Sequence, residues 1–151
     1  MVYQDMFLVF KSSAADTSQR CYQLFPHCNV ETIQIRYAGN TYPPLQQNAA
    51  FLQNHFSDFY HSFIECAKTL DYSPSLSVEE FRDLYTIYAF DLGAQRVVNN
   101  VSEITIDIKR KAIPADDAAS ANPKSLNIFF IMLCERTIEI TSNPKMVKLI
   151  E

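Results

Sequence analysis

Apolar and polar positions alternate along Phe81 to Ile113, FRDLYTIYAFDLGAQRVVNNVSEITIDIKRKAI, and the two strands this predicts organise the rest of the chain. From Tyr85 to Leu92, residues Tyr85, Ile87 and Ala89 fall on one side and Thr86, Tyr88, Phe90 and Leu92 on the other. Both faces carry bulk, so this strand lies between layers. From Ser102 the alternation is cleaner: Ile104, Ile106 and Ile108 face one way, Thr105, Asp107 and Lys109 the other. That is the pattern of a half-buried antiparallel strand, whose oily face needs a second sheet or a helix. The pair implies a layered β domain.

The remaining segments extend and cover this pair. Met6 to Phe10, MFLVF, is an apolar run too short for a stable helix and reads as a buried strand, followed by the turn-like SSAADTS. After CYQLFP (Cys21 to Pro26), the stretch Val30 to Tyr37 alternates again, with Glu31, Ile33, Ile35 and Tyr37 as its expected core face. Ala38-Gly39-Asn40 is turn chemistry, glycine and asparagine accepting positive φ, and Pro43-Pro44 takes the chain out of the sheet. From Asn48 to Leu70 the period changes from two to about 3.6, predicting one long amphipathic helix. Its stripe is Leu52, Phe56, Phe59, Tyr60, Phe63, Ala67 and Leu70. Ser73-Pro74 ends that helix, and Ser77-x-x-Glu80 is a capping box opening a short second one over Val78 to Leu84. PADDAASANPKS, after Ile113, is a surface loop. Leu126 to Cys134, LNIFFIMLC, is apolar on both sides and reads as a strand covered on two faces, with a break near Cys134-Glu135. Glu135 to Thr141, with Arg136, Ile138 and Ile140 alternating against Thr137, Glu139 and Thr141, the turn Ser142-Asn143-Pro144 and an edge strand over Met146 to Ile150 close the chain. Extended segments around a helical excursion describe a mostly β chain, a β-sandwich of two antiparallel sheets.

Composition narrows the function. At 151 residues the chain has the size of one ordinary domain. Only 2 glycines leave little for a backbone phosphate cradle. A net charge of −4 with both signs interspersed gives no footprint for a nucleic-acid backbone or an acidic membrane. No apolar run approaches the ~20 residues that span a bilayer, and no signal-peptide pattern follows Met1. The 4 cysteines lack paired short spacings and read as buried, reduced thiols of an intracellular protein.

Several residues together resemble a known family. Tyr88-Ala89-Phe90-Asp91-Leu92, the strand Val101 to Arg110, a variable loop, and the strands through Leu126-Asn127-Ile128-Phe129 and Ile138-Glu139-Ile140 look like the end of the second jelly roll of double jelly-roll major capsid proteins. The flavour is that of Polinton or Maverick elements and of adintovirus-like and virophage-like lineages. Val30 to Pro44, with its Gly39-Asn40 turn and Tyr42-Pro43, is similar to the opening of that jelly roll. The resemblance implies one jelly-roll domain over 1–151 with a structural role: a virion shell protein, made in the host cytoplasm or nucleus. Its partners would be itself or another capsid subunit, as a homotrimer, with no enzyme activity and no cofactor. It also implies assembly or structural roles for Asp91, Tyr88, Phe90, Phe56, Phe59 and Phe63. A full double jelly-roll chain carries two barrels and this sequence has room for one, so an excised domain, a domesticated endogenous copy and a single jelly-roll relative stay open. The alternative is a free-standing β-sandwich that binds a carbohydrate or a peptide.

Candidate chemistry is sparse. Cys21, His27 and Cys28 stand close together, but their spacing is not that of a zinc site. His55 and His61 point about 240° apart on a helix at roughly 100° per residue and cannot share a ligand. Cys66 or Cys134 could pair with a histidine, but Cys134 in an apolar strand is expected to be a buried structural thiol. Asp91 reads as an Asx-type acceptor closing its strand, or as a contact between subunits. Asp116-Asp117 reads as solvated rather than calcium-binding, and the Asn100-Val101-Ser102 sequon matters only if the protein is exported.

Overall fold

The computed structural model describes residues 2–12, 24–93, 103–111, 126–135, 138–140 and 147–149. Cys21, the stretch after Ser12, the sequon, Asp116-Asp117, the loop after Ile113 and the Ser142-Asn143-Pro144 turn lie outside the described residues.

The chain is mostly β. Strands β1 (Val2–Ser12), β4 (Tyr88–Asp91) and β6 (Leu126–Glu135) form one antiparallel sheet in the order β4-β1-β6. Strands β2 (Val30–Tyr37), β3 (Asn40–Tyr42) and β5 (Ile104–Arg110) form a second, in the order β3-β2-β5. Strands β7 (Ile138–Ile140) and β8 (Val147–Leu149) pair with each other. Helices α1 (Ser57–Thr69) and α2 (Val78–Asp83) fall between β3 and β4. The two organising strands, β4 and β5, belong to different sheets, so each supplies one layer.

The inward side chains of both sheets and of α1 join in a single apolar cluster. Met6, Leu8 and Phe10 come from β1, Ile33, Ile35 and Tyr37 from β2, and Phe59, Phe63 and Cys66 from α1. Ile33, Ile35 and Tyr37 of the expected core face of β2 are buried, but Glu31 is only half-buried and pairs with Lys109 at 2.9 Å, because a bulge between Val30 and Thr32 shifts the register there and buries those two residues instead. The β2–β3 turn takes positive φ at Ala38 (51°) and Gly39 (81°), while Asn40 already pairs with Tyr37. Two consecutive residues of positive φ match the twist of a tight hairpin.

Phe51, which meets His27, Phe56, Phe59 and Tyr88, is a hub of the aromatic packing together with Tyr88 and Phe81. Edge-on contacts join Tyr88 to Phe10 at 5.4 Å and to Phe59 at 5.2 Å. Phe81 meets Phe56, Tyr60 and Phe63. Aromatic pairs in such geometries add to what burial alone contributes.

Three further expectations need correction. The helix does not run from Asn48 to Leu70. Phe51–Gln53 is a separate 3-10 turn, Asn54 is left-handed (φ 58°), and α1 has 13 residues. Ala50 and His55 exchange backbone hydrogen bonds across this break, at 2.7 and 3.1 Å. Leu52 and Leu70, beyond the ends of α1, are accordingly exposed, while Phe56, Phe59, Phe63 and Ala67 are buried. Secondly, β4 is shorter than the predicted strand, although Thr86, Tyr88, Phe90 and Leu92 are all buried as the alternation requires. Thr86 instead anchors the approach, donating its hydroxyl to the Phe81 carbonyl at 2.8 Å. Thirdly, β6 is not covered on two faces. Ile128, Phe129, Phe130 and Ile131 are all exposed, because β6 ends its sheet. The irregularity expected near Cys134-Glu135 falls on the neighbour, where β1 shifts register between Tyr3 and Asp5.

Candidate functional site

A cleft of about 510 Å³ opens where β3 and β4 meet α1. The sequence builds it from a strand that stops at a proline and a helix that starts at a break. β3 ends at Tyr42, joined to Pro43 by a cis peptide bond, and Pro43-Pro44 turns the chain across the mouth. Ala89, Phe90 and Cys66, all buried, form the floor. Exposed His61, Glu65 and Asp91 stand on the rim. Gln47 donates to the Ser62 hydroxyl at 3.1 Å and Gln34 to the Pro43 carbonyl at 3.3 Å, fixing the wall to α1 and β2.

The charges around the cleft act on Glu65 and Cys66. Lys68 donates to Glu65 at 2.7 Å, and this hydrogen bond together with the ammonium charge lowers the Glu65 pKa. Burial, reinforced by the carboxylate of Asp5, pushes the Cys66 thiol up to about 12. A thiol held protonated is a poor nucleophile. Asp5 itself is buried and accepts from the Thr69 hydroxyl at 3.0 Å, tying β1 to the end of α1.

The residues singled out from sequence divide by burial. Asp91 and Phe90 both reach the cleft, Asp91 accepting from the Gly93 backbone at 2.7 Å in an Asx turn. Tyr88, Phe56, Phe59 and Phe63 are buried in the core. His55 and His61 are exposed, His61 lying 4.0 Å from Glu65. His27 stacks on Phe51 at 4.5 Å and its Nδ1 accepts from the Asn29 backbone at 2.9 Å. Burial lowers its pKa, so the ring is neutral near pH 7. Cys28 is buried and its thiol is raised to about 11. Cys134 is exposed, contrary to expectation, because its strand lies at the sheet edge. Among the described residues no three His, Cys, Asp or Glu side chains gather as a metal site. Among them, too, no helix is long and apolar enough to cross a membrane.

Sequence reasoning missed two features. Asp5 lay outside the predicted strand, because only the apolar run Met6 to Phe10 announced it while β1 begins at Val2. The exposure of β6 has no signal in composition, since an apolar strand reads the same covered or bare. No family model, curated protein or solved structure matches the chain.

Proposed function

We propose that this chain is a jelly-roll domain of a virion shell, or an endogenous descendant of one, that works by subunit contact rather than turnover. One observation carries the reading, the strand order. A jelly roll forms when an antiparallel ribbon of eight strands, pairing first with eighth, second with seventh, third with sixth and fourth with fifth, wraps into two sheets. Wrapping sets the third strand between the sixth and eighth, and the fourth between the fifth and seventh. With β1 to β6 in the third to eighth positions, β1 belongs between β4 and β6, and β2 between β3 and β5, as is found. Every one of these pairs is antiparallel, as the wrapping demands. The two helices then occupy the connection between the fifth and sixth strands, away from the remaining crossings.

The cleft at β3, α1 and β4 favours a second reading, a binding module for a carbohydrate or peptide, with an apolar floor and polar rim suited to such a ligand. Light scattering coupled to size exclusion separates the two. A trimer or larger particle is expected for the shell domain. A chain that stays monomeric at every concentration and retains a glycan or peptide would replace the first reading with the second.

A further inference from the structure

The charges around the cleft at β3, α1 and β4 narrow what can enter it. Its lining holds the carboxylates of Glu65, on α1, and Asp91, at the end of β4, and neither a lysine nor an arginine. Both acids are exposed, and different elements hold them around one apolar floor of Ala89, Phe90 and Cys66. Their field reaches that floor. Besides burial itself, the carboxylates of Asp5, Asp91 and Glu65 all push the Cys66 thiol in the same upward direction, which marks a negative potential at the bottom of the cleft. Asp5 lies beneath, buried, and stands opposite Asp91 where β1 pairs with β4. A cleft lined by charge of one sign over low-dielectric walls concentrates ligands of the other sign.

We infer that the cleft seats an arginine side chain presented by a partner peptide, with its methylene stem on the floor and its guanidinium at Glu65 and Asp91. The inference rests on the second reading above, that the cleft holds a ligand, and narrows it to a peptide. An aliphatic stem ending in a cationic head matches an apolar floor with an acidic rim. Arginine suits the site better than lysine, because its planar fork of donors can serve two carboxylates at once and it sheds water more readily than an ammonium. Each acid has room for it. A carboxylate offers about four lone-pair sites, and Asp91 gives one to the Gly93 N–H at 2.7 Å while Glu65 gives one to Lys68 at 2.7 Å. The Lys68 pair is solvent-exposed on both sides and so yields at little cost. A sugar fits poorly: it brings no charge to the acids, and the rings of Tyr42 and Phe90 in the lining are both buried and offer it no face. An anion would meet two carboxylates of its own sign. One arginine side chain fills only part of about 510 Å³, and the remainder, edged by the polar side chains of Asn40, Thr41 and Gln47, suits the backbone of flanking residues.

The test uses the full isotope-labelled chain and the probe peptide acetyl-Ala-Ala-Arg-Ala-Ala-amide, at about 0.15 M salt so that charges more than roughly 8 Å apart are screened. Amide NMR shifts are expected to saturate on titration and to be largest at Glu65, Ala89 and Asp91. The same peptide with glutamine in place of arginine is expected to bind at least about tenfold more weakly, and N-acetyl-arginine methylamide at least about threefold. Glu65→Gln and Asp91→Asn should each weaken the arginine peptide at least about threefold, and together at least about tenfold. An amide at position 91 can still accept from the Gly93 N–H, so the turn is kept. Glu79→Gln removes the same charge from an exposed site of α2 outside the lining, and is expected to change binding less than about twofold. The inference is overturned if the arginine peptide gives no saturable shifts, if the glutamine peptide or the double variant binds equally well, if Glu79→Gln weakens binding as much as Glu65→Gln, or if the shifts centre away from the cleft. Equal affinity for acetyl-arginine methylamide overturns it too, by making the cleft a small-molecule site. A monomer that retains a glycan and ignores the peptide removes this inference and leaves the binding-module reading standing. A trimer that takes the peptide supports the inference and shell assembly together.

Discussion

At the scale of single residues, the contact that ties the most elements together is the one between Tyr88 and the His27 segment. The Tyr88 hydroxyl, fully buried, donates to the His27 carbonyl at 2.9 Å, while its ring packs on Phe10 from β1 and Phe59 from α1. The imidazole of His27 lies flat on Phe51, in a site that disfavours its charged form. Burial is the larger cause, the Arg82 guanidinium acts in the same direction, and Asp83 opposes them in part. The sign follows directly. With the folded pKa below the ordinary histidine value of 6.5, the unfolded chain binds the extra proton first as pH falls. Stability from this group is therefore complete above pH 6.5 and declines below it, until the folded pKa is reached. Urea unfolding midpoints are expected to hold steady from pH 8 to 7 and to fall once the pH drops below 6.5. In His27→Gln that fall should flatten. If the two proteins lose stability in parallel over the same interval, the imidazole is not the group responsible.

At the scale of elements, α2 shows what is local and α1 and β6 what is not. The serine and glutamate of α2 satisfy each other's backbone: Glu80 N–H donates to the Ser77 hydroxyl at 3.2 Å, and Ser77 N–H donates to the Glu80 carboxylate at 2.9 Å. Both partners lie within four residues, so Ser77-x-x-Glu80 was legible without any tertiary knowledge. Ser77→Ala is expected to cost about 1 kcal/mol in denaturant unfolding, since it strips one of these bonds from an exposed helix end. A loss below about 0.3 kcal/mol would mean that Phe81, buried beneath α2, holds the helix unaided. The stripe of α1 was also legible, because Phe56, Phe59, Phe63 and Ala67 recur at helical spacing. Its break was not: a left-handed Asn54 closed by bonds between Ala50 and His55 is a choice made by contacts across the loop. For β6 the pattern reported apolar faces correctly and could not report whether anything lies against them. Of the cleft, Phe90 and Asp91 were found through the strand that carries them, whereas His61, Cys66 and the Pro43 wall converge only once α1 lies along β4.

At the scale of the whole molecule, a chain that leaves an apolar strand at the end of a sheet has a specific liability. Strand β6 presents Phe129 and Ile131 at 52% and 66% exposure, beside a backbone edge that no described strand covers. A long, uncharged, apolar edge strand is a template for pairing with other chains. Ile131 is 66% exposed, so Ile131→Lys places an ammonium in water and disturbs little within the chain. Its thermal midpoint is expected to match the native one, in keeping with surface substitutions that fall within about 0.5 kcal/mol. Its solubility should rise, read as a higher concentration at the onset of light scattering, because a charge on an edge strand opposes stacking of copies. A fall of several degrees in the midpoint would show that Ile131 is sheltered by its own chain, and the bare edge, with everything drawn from it, would have to be abandoned. Unchanged scattering with an unchanged midpoint would instead locate the association elsewhere, with the apolar side chains around the cleft next to be charged.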